Sequence, residues 1–225
     1  MKTIIKIYGV QSRMGMIKAT AEKLSVDEEN IFLDDRDNGG DPLYTAKKAY
    51  LSDCGDATHG IFLQDDVEVC DNFIEICEQI IAAHPNKIIG LFPFDYMRYD
   101  SKLDSLESPY LEIRVLSGQG IIMPIEYIKP CFEWLKSTYD DKIDDDKGIH
   151  QWAKYSGVKV ITTVPALVQH IGDVSAIDTS RKVRRTYYYS KNPVANWSNP
   201  IINKGLFRTD KFAPKHKILN KTRRE

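Results

Sequence analysis

An α/β sandwich around a mostly parallel sheet is the fold class this sequence predicts, and three observations carry it. Short apolar runs rich in Ile, Val and Phe recur between residues 3 and 165, which is the pattern of strands buried on both faces. The segments between them space their apolar residues at three and four, as helices do. Strand and helix alternate, an order that places helices against the faces of a sheet. Past Ser175 the alternation stops and Tyr, Asn, Pro and basic residues take over. We therefore divide the chain into an α/β domain over residues 1–175 and a basic, aromatic-rich extension over 176–225, a division that 225 residues accommodate.

The elements follow in order. "TIIKIYG" is a strand, "RMGMIKATAEKL" a helix and "NIFLD" a second strand. Asp41 stands at the cap of a helix that opens with Pro42, whose missing N–H costs nothing at that position. "GIFL" is a third strand. Asp71 then caps "NFIEICEQIIAAH", where Phe73, Ile74, Cys77, Ile80 and Ile81 form one stripe. "KIIGLF" is a fourth strand, residues 95–112 read as an irregular polar stretch, and "GQGIIMP" is a fifth strand. "IEYIKPCFEWLKSTY" is a helix that Pro130 interrupts, and "DDDKGIHQWAKYSG" a short helix leading into the strand "VKVITTVP". Trp152 falls at a core-like spacing and reads as packing.

Composition narrows the setting. With 42% hydrophobic and 28% charged residues the chain can bury a core, and no apolar run approaches the roughly 18 to 20 residues that span a bilayer. "MKTIIKIYGV" has no small-residue cleavage site and reads as a first strand rather than a signal peptide. Cys54, Cys70, Cys77 and Cys131 form no CxxC pair, which suits free thiols in a reducing cytoplasm, the host's if the chain is viral. The net charge of -1 conceals an asymmetry: residues 176–225 hold thirteen Lys and Arg against three Asp and Glu, so the preceding body is acidic.

The third strand poses the chemical question. "HGIFLQDDVEV" runs apolar residues straight into Asp65 and Asp66, and a buried strand end with two carboxylates needs a counter-charge. Open α/β sheets bind ligands at the carboxyl ends of their strands. Arg13 lies just past the end of the first strand, and Asp34, Asp35 and Arg36 at the end of the second. Carboxylate oxygens suit a hard divalent cation, Mg²⁺ or Mn²⁺. The plainer alternatives are a solvated turn at Asp65–Asp66 and surface salt bridges at Asp34 and Asp35.

"FLQDDVEV" resembles the DxD-type motif of GT-A-fold glycosyltransferases, which hold a nucleotide-sugar diphosphate through a divalent metal. "GQGIIMP", with Gly118 and Gly120, resembles the glycine-containing strand beside the donor sugar in that family. "DDDKGIHQWAKYSGVKVITTVPALVQHIG" resembles its acidic helix start, the following strand and the late histidine. The resemblance spans residues 1–175 and implies a GT-A-like, Rossmann-like sandwich. It departs at Gln64, an amide where the pattern often has an acid; an amide still hydrogen-bonds a ribose hydroxyl.

The resemblance implies Mn²⁺ or Mg²⁺ held by Asp66 and His170, stabilising the charge that builds on the departing diphosphate. In an extended chain Gln64 and Asp66 share one side and Asp65 the other. Asp66 is therefore the expected ligand, and Asp65 a ribose contact or a support for that ligand. Asp34 or Asp35 would contact the nucleoside and Arg13 the base or a phosphate; Lys47 or Lys48 could approach the diphosphate. Asp145 and Asp146, an acidic pair followed three residues later by an aliphatic side chain (here Ile149), resemble the family pattern, which implies Asp146 as the base that takes the acceptor's proton, with Asp145 in reserve, and an inverting displacement. A third acid there would be a helix cap.

For the acceptor, Arg181, Arg184 and Arg185 followed by Tyr187 and Tyr188, then Trp197, interleave cations with rings. That suits a polyanion offering flat bases, with a hydroxylated base in DNA, as in virus-type DNA modification, the favoured acceptor. Tyr96, Arg98 and Tyr99 are further acceptor candidates. The alternatives are a glycan or lipid-linked acceptor, a tail that docks on the protein's own acidic body or on an anionic membrane surface, a nucleotidyltransferase, and a non-catalytic nucleic-acid-binding protein. "YGVQSRMG" lacks the glycine-rich phosphate loop a nucleotidyltransferase would want, and clustered carboxylates argue against a pure nucleic-acid binder.

Overall fold

The computed structural model describes residues 2–36, 42–93, 106–113, 115–172, 186 and 188–204. The elements are β1 (Thr3–Val10), α1 (Met14–Leu24), β2 (Ile31–Asp34), α2 (Pro42–Leu51), β3 (His59–Gln64), β4 (Val67–Val69), α3 (Phe73–Ala83), β5 (Ile88–Gly90), β6 (Tyr110–Glu112), β7 (Gly120–Pro124), α4 (Ile125–Tyr139), α5 (Asp145–Ser156), β8 (Val160–Thr163) and β9 (Val168–His170). Seven strands form one sheet in the order β2-β1-β3-β7-β5-β8-β6. β1 runs parallel to β2 and β3, and β5 parallel to β8. β7 is antiparallel to both β3 and β5, and β6 to β8, so five of the seven strands point one way. The mostly parallel α/β sandwich expected from the sequence is the fold observed.

The alternation of side chains along each strand builds the two cores. Ile7, Ile61, Leu63 and Ile122 pack against Ile17 and Leu24 of α1 and against Phe73, Cys77 and Ile80 of α3. Their neighbours Tyr8, Phe62, Ile121 and Met123 point the other way, onto Leu43 and Tyr50 of α2, Phe132 of α4, and Ile149 and Trp152 of α5. A one-residue slip of any strand would exchange these two sets.

Four features differ from the sequence expectation, the first being Ile74, which is exposed on α3 while Ile76 takes its place in the buried stripe. Pro130 does not interrupt α4, which continues through it. The carbonyl it leaves unbonded belongs to Glu126, on the solvent side, while Ile128, Cys131, Phe132 and Leu135 stay buried on the other. Asn72, not Asp71, occupies the N-cap of α3. Within the stretch read as irregular, residues 110–112 form the edge strand β6, too short to show a period in the sequence.

The first part of the C-terminal extension covers that edge. Asn203 donates its N–H to the Tyr110 carbonyl at 2.9 Å and accepts from the Glu112 N–H at 3.0 Å. Trp197 is 4% exposed in the core under α1 and α3, and the Tyr110 hydroxyl donates to its carbonyl. Asp41 and residues 205–225 lie outside the described residues.

Candidate active site

The ends of three parallel strands meet where β2, β1 and β3 stop, with Val10 opposite Asp34 and Tyr8 opposite Gln64. Residues 65 and 66 are a turn between β3 and β4. The extended-chain alternation therefore breaks at this point, and Asp66 does not share Gln64's side. Instead both acids converge on Arg13. Its Nη1 donates to Asp65 Oδ1 at 2.8 Å and also contacts Asp66 Oδ2. The counter-charge that the strand end requires is thus supplied from within the chain, by the residue just before α1.

Asp65 is also fixed by the Val10 N–H, which donates to Oδ2 at 2.7 Å. It lies so close over Gly9 that a Cβ there would come within 2.1 Å of it, so only glycine admits this packing. Burial and the neighbouring Asp66 push the Asp65 carboxyl up, against the opposing effects of Val10 and Arg13. Asp66, 4% exposed, receives a partner from far along the chain. β4 and β9 pair with Val67 opposite His170, which sets His170 Nε2 2.7 Å from Asp66 Oδ2. Asp66 Oδ1 is buried and has no hydrogen-bond partner among the described residues. The chain after β9 closes over this acid: the Ile171 N–H donates to the Asp66 carbonyl at 2.8 Å, and a side chain at Gly172 would meet Asp66 Oδ2.

On the other face of the sheet a second acid is held. The Tyr8 hydroxyl donates to Asp145 Oδ2 at 2.6 Å and lies 3.4 Å from the Gly118 carbonyl. Gln64 covers Gly118, where a Cβ would fall 2.7 Å from Gln64 Nε2 and 3.5 Å from Asp145 Oδ1. Asp145 is 3% exposed, and burial followed by the charge of Asp146 pushes its carboxyl up to about 7. Asp146 is half-buried and accepts the Lys147 N–H at 2.6 Å, while Asp144 holds the N-cap position and pairs with the Lys147 ammonium.

The remaining sequence candidates separate. Asp34 forms two bonds to the Arg36 guanidinium, at 2.9 and 2.8 Å, which holds its carboxyl below the usual range. Asp35 pairs with Lys48 at 2.9 Å, and both Arg36 and Lys48 lie over the Tyr44 ring. These acids carry the ion pairs of a helix entry, and Lys47 is engaged with Asp141 at 2.6 Å. Gly120 is walled by Leu63, Leu91 and Val168 and serves the core. Arg181, Arg184, Arg185 and Tyr187, with Tyr96, Arg98 and Tyr99, lie outside the described residues. The Tyr188 carbonyl accepts the Ala166 N–H at 3.0 Å, which ties its backbone to the body. Sequence reasoning passed over Tyr8, whose one signal is a polar-tipped ring beside Gly9 at the end of a buried strand.

No protein-family model matches the chain, and no curated protein matches it. Among solved structures, the galactosyltransferase LgtC in complex with donor and acceptor sugar analogues aligns over 70% of this chain and 73% of its own, with 10% identity and a TM-score of 0.41. The apo form of the glycosyltransferase GlyE from Streptococcus pneumoniae TIGR4 aligns over 71% of this chain, with 8% identity and a TM-score of 0.33; the chain spans 45% of that protein.

Among the described residues no group of three or more His, Cys, Asp or Glu converges as a closed cage. What converges is one carboxylate, with a buried oxygen lacking a partner, and one imidazole. Two such donors fit a Mn²⁺ or Mg²⁺ ion that takes its other ligands from phosphate oxygens and water.

Proposed function

We propose that the protein is a metal-dependent glycosyltransferase that moves a sugar from a nucleotide-sugar donor to a hydroxyl acceptor. The observation that carries this reading is the meeting of Asp66 and His170, 104 positions apart, with an unpartnered carboxylate oxygen at the carboxyl edge of β3. Mn²⁺ or Mg²⁺ bound there would neutralise the charge that develops on a nucleoside diphosphate as it leaves. Asp66 and His170 would hold it, Asp65 would stay fixed on Gly9 and Val10, and Gln64 would offer its amide to a donor hydroxyl.

For the proton we assign Asp145 as base in preference to Asp146. A carboxyl that titrates near 7 can take a proton from a hydroxyl at neutral pH and hold it, and Asp145 sits at Gly118 beside Gln64. The Tyr8 hydroxyl fixes its orientation. Asp146, committed in part to its own helix start, is left to raise the Asp145 pKa. A positioned base of this kind suits a single inverting displacement.

As acceptor we propose a hydroxylated base in DNA, supported by the +10 charge and the tyrosines of residues 176–225. Trp197 takes no part in this, because its ring is in the core. The test of the activity is product analysis with a panel of nucleotide sugars and Mn²⁺. Slow release of nucleoside diphosphate supports the transferase, release of pyrophosphate points to a nucleotidyltransferase, and release of neither overturns the reading.

A further inference from the structure

The acid pair at the end of β3 shares one cation of the chain's own, the Arg13 guanidinium. The Arg13 side chain is 14% exposed, and the side chains of Asp65 and Asp66 are 6% and 5% exposed, so the three charges are buried together. Arg13 and His170 approach the same oxygen, Asp66 Oδ2, and leave Oδ1 without a partner among the described residues. Asp65 is anchored separately, by the Val10 N–H and by its seat on Gly9. A divalent ion held by Asp66 and His170 would add two positive charges beside the guanidinium, and like charges at that range in a buried site repel strongly.

We propose that Arg13 is a resident counter-cation that competes with the divalent metal for Asp66, releasing Asp66 and keeping Asp65 when the metal binds. The inference rests on the metal reading of the Asp66–His170 pair. It explains how two adjacent carboxylates persist side by side at a buried strand end. It also makes affinity for the metal alone low, and makes the donor's diphosphate, which brings negative charge, part of what draws the metal in. Arg13 acts through Asp66, so it is a positioning residue rather than a catalytic one.

The test measures binding of Mn²⁺ alone to the full chain, by the electron-paramagnetic-resonance signal of free Mn²⁺, and thermal unfolding with and without the ion. Wild type, Arg13→Met and Asp66→Asn are compared. Arg13→Met should bind Mn²⁺ about tenfold or more tightly than wild type, since even a well-screened unit charge a few ångströms away is worth close to that factor. It should melt below wild type in chelator and regain part of the difference with Mn²⁺. If Arg13→Met fails to fold, Arg13→Gln, which keeps a donor and drops the charge, carries the same expectation. Equal or weaker Mn²⁺ binding by the variant, where wild type binds through Asp66, overturns the competition and leaves the metal site standing. No Mn²⁺ binding by Arg13→Met overturns the competition, and no Mn²⁺ binding by either protein even with a nucleoside diphosphate present overturns the metal reading as well.

Discussion

Replacing Asp145 with Asn should stabilise the protein at alkaline pH while removing its activity. In the folded chain the Asp145 carboxyl rises from an ordinary value of 3.8 to about 7, because burial and Asp146 disfavour its charged form. The folded state therefore binds this proton more tightly than the unfolded state does. The stability linked to it is complete below about pH 4 and is lost as pH climbs to about 7. Above that point the folded protein carries a buried charge whose cost, over a gap of that size, is about 4 kcal/mol. Asparagine keeps the shape and never ionises, although its amide makes a weaker bond with the Tyr8 hydroxyl, so a net gain of about 2 to 4 kcal/mol above pH 7.5 is expected. Urea denaturation of both proteins at pH 4.5 and pH 8 measures it, since the other titrating groups cancel in the difference. The variant should match wild type at the lower pH, exceed it at the higher, and turn over about 10² to 10⁴ times more slowly. A difference that does not change with pH, or a variant less stable at pH 8, refutes the assignment of a buried, proton-holding carboxyl.

Tyr8→Phe removes a bond that favours the ionised form, so the acid limb of the kcat/KM profile should move up by about one pH unit; an unmoved limb contradicts Tyr8's role. His170→Ala should weaken metal-dependent donor binding by about one to two orders of magnitude in a calorimetric titration, and unchanged binding would remove it from the site. Gly9→Ala places a methyl on Asp65 and should cost about 1 to 3 kcal/mol or more in urea unfolding, with wild-type stability the contrary result. A chain ending at Lys204 keeps Trp197 and should fold, whereas one ending at Ser180 loses that ring and about 3 to 5 kcal/mol. On hydroxymethylated DNA the chain ending at Lys204 should show a flatter salt dependence than the full chain, by about 0.9 per lost phosphate contact, and equal slopes would free residues 205–225 of that role.

The legible parts of this protein are those that depend on neighbours in the chain. Ile61, Phe62 and Leu63 running into Asp65–Asp66 could be read as a strand end with chemistry attached, and the alternation of elements gave the sandwich. What escaped depends on contacts across long separations. That His170 meets Asp66 is implied by the family resemblance alone, because the contact comes through the register of β4 and β9, two three-residue strands with too few positions to show a period. Two adjacent acids in sequence point to a metal as counter-charge, yet Arg13 supplies one across 52 positions. The sides of Gln64 and Asp66 were misread because period-two reasoning holds only while the chain stays extended, and residues 65–66 turn. Asp145 and Asp146 are indistinguishable in sequence; only the packing of α5 against Tyr8 buries one and leaves the other half in solvent.

The measurement that bears most directly on the account is thermal unfolding against a panel of nucleotide sugars with Mn²⁺ or with chelator, run on wild type and Asp66→Asn together. A ligand at about 100 times its Kd adds roughly 2.7 kcal/mol of stability, a shift such a screen detects readily. The account predicts that at least one nucleotide sugar stabilises wild type in Mn²⁺, that chelator abolishes the effect, and that Asp66→Asn folds but shows none of it. Stabilisation by no nucleotide sugar, or stabilisation that survives both chelator and the loss of Asp66, would contradict it.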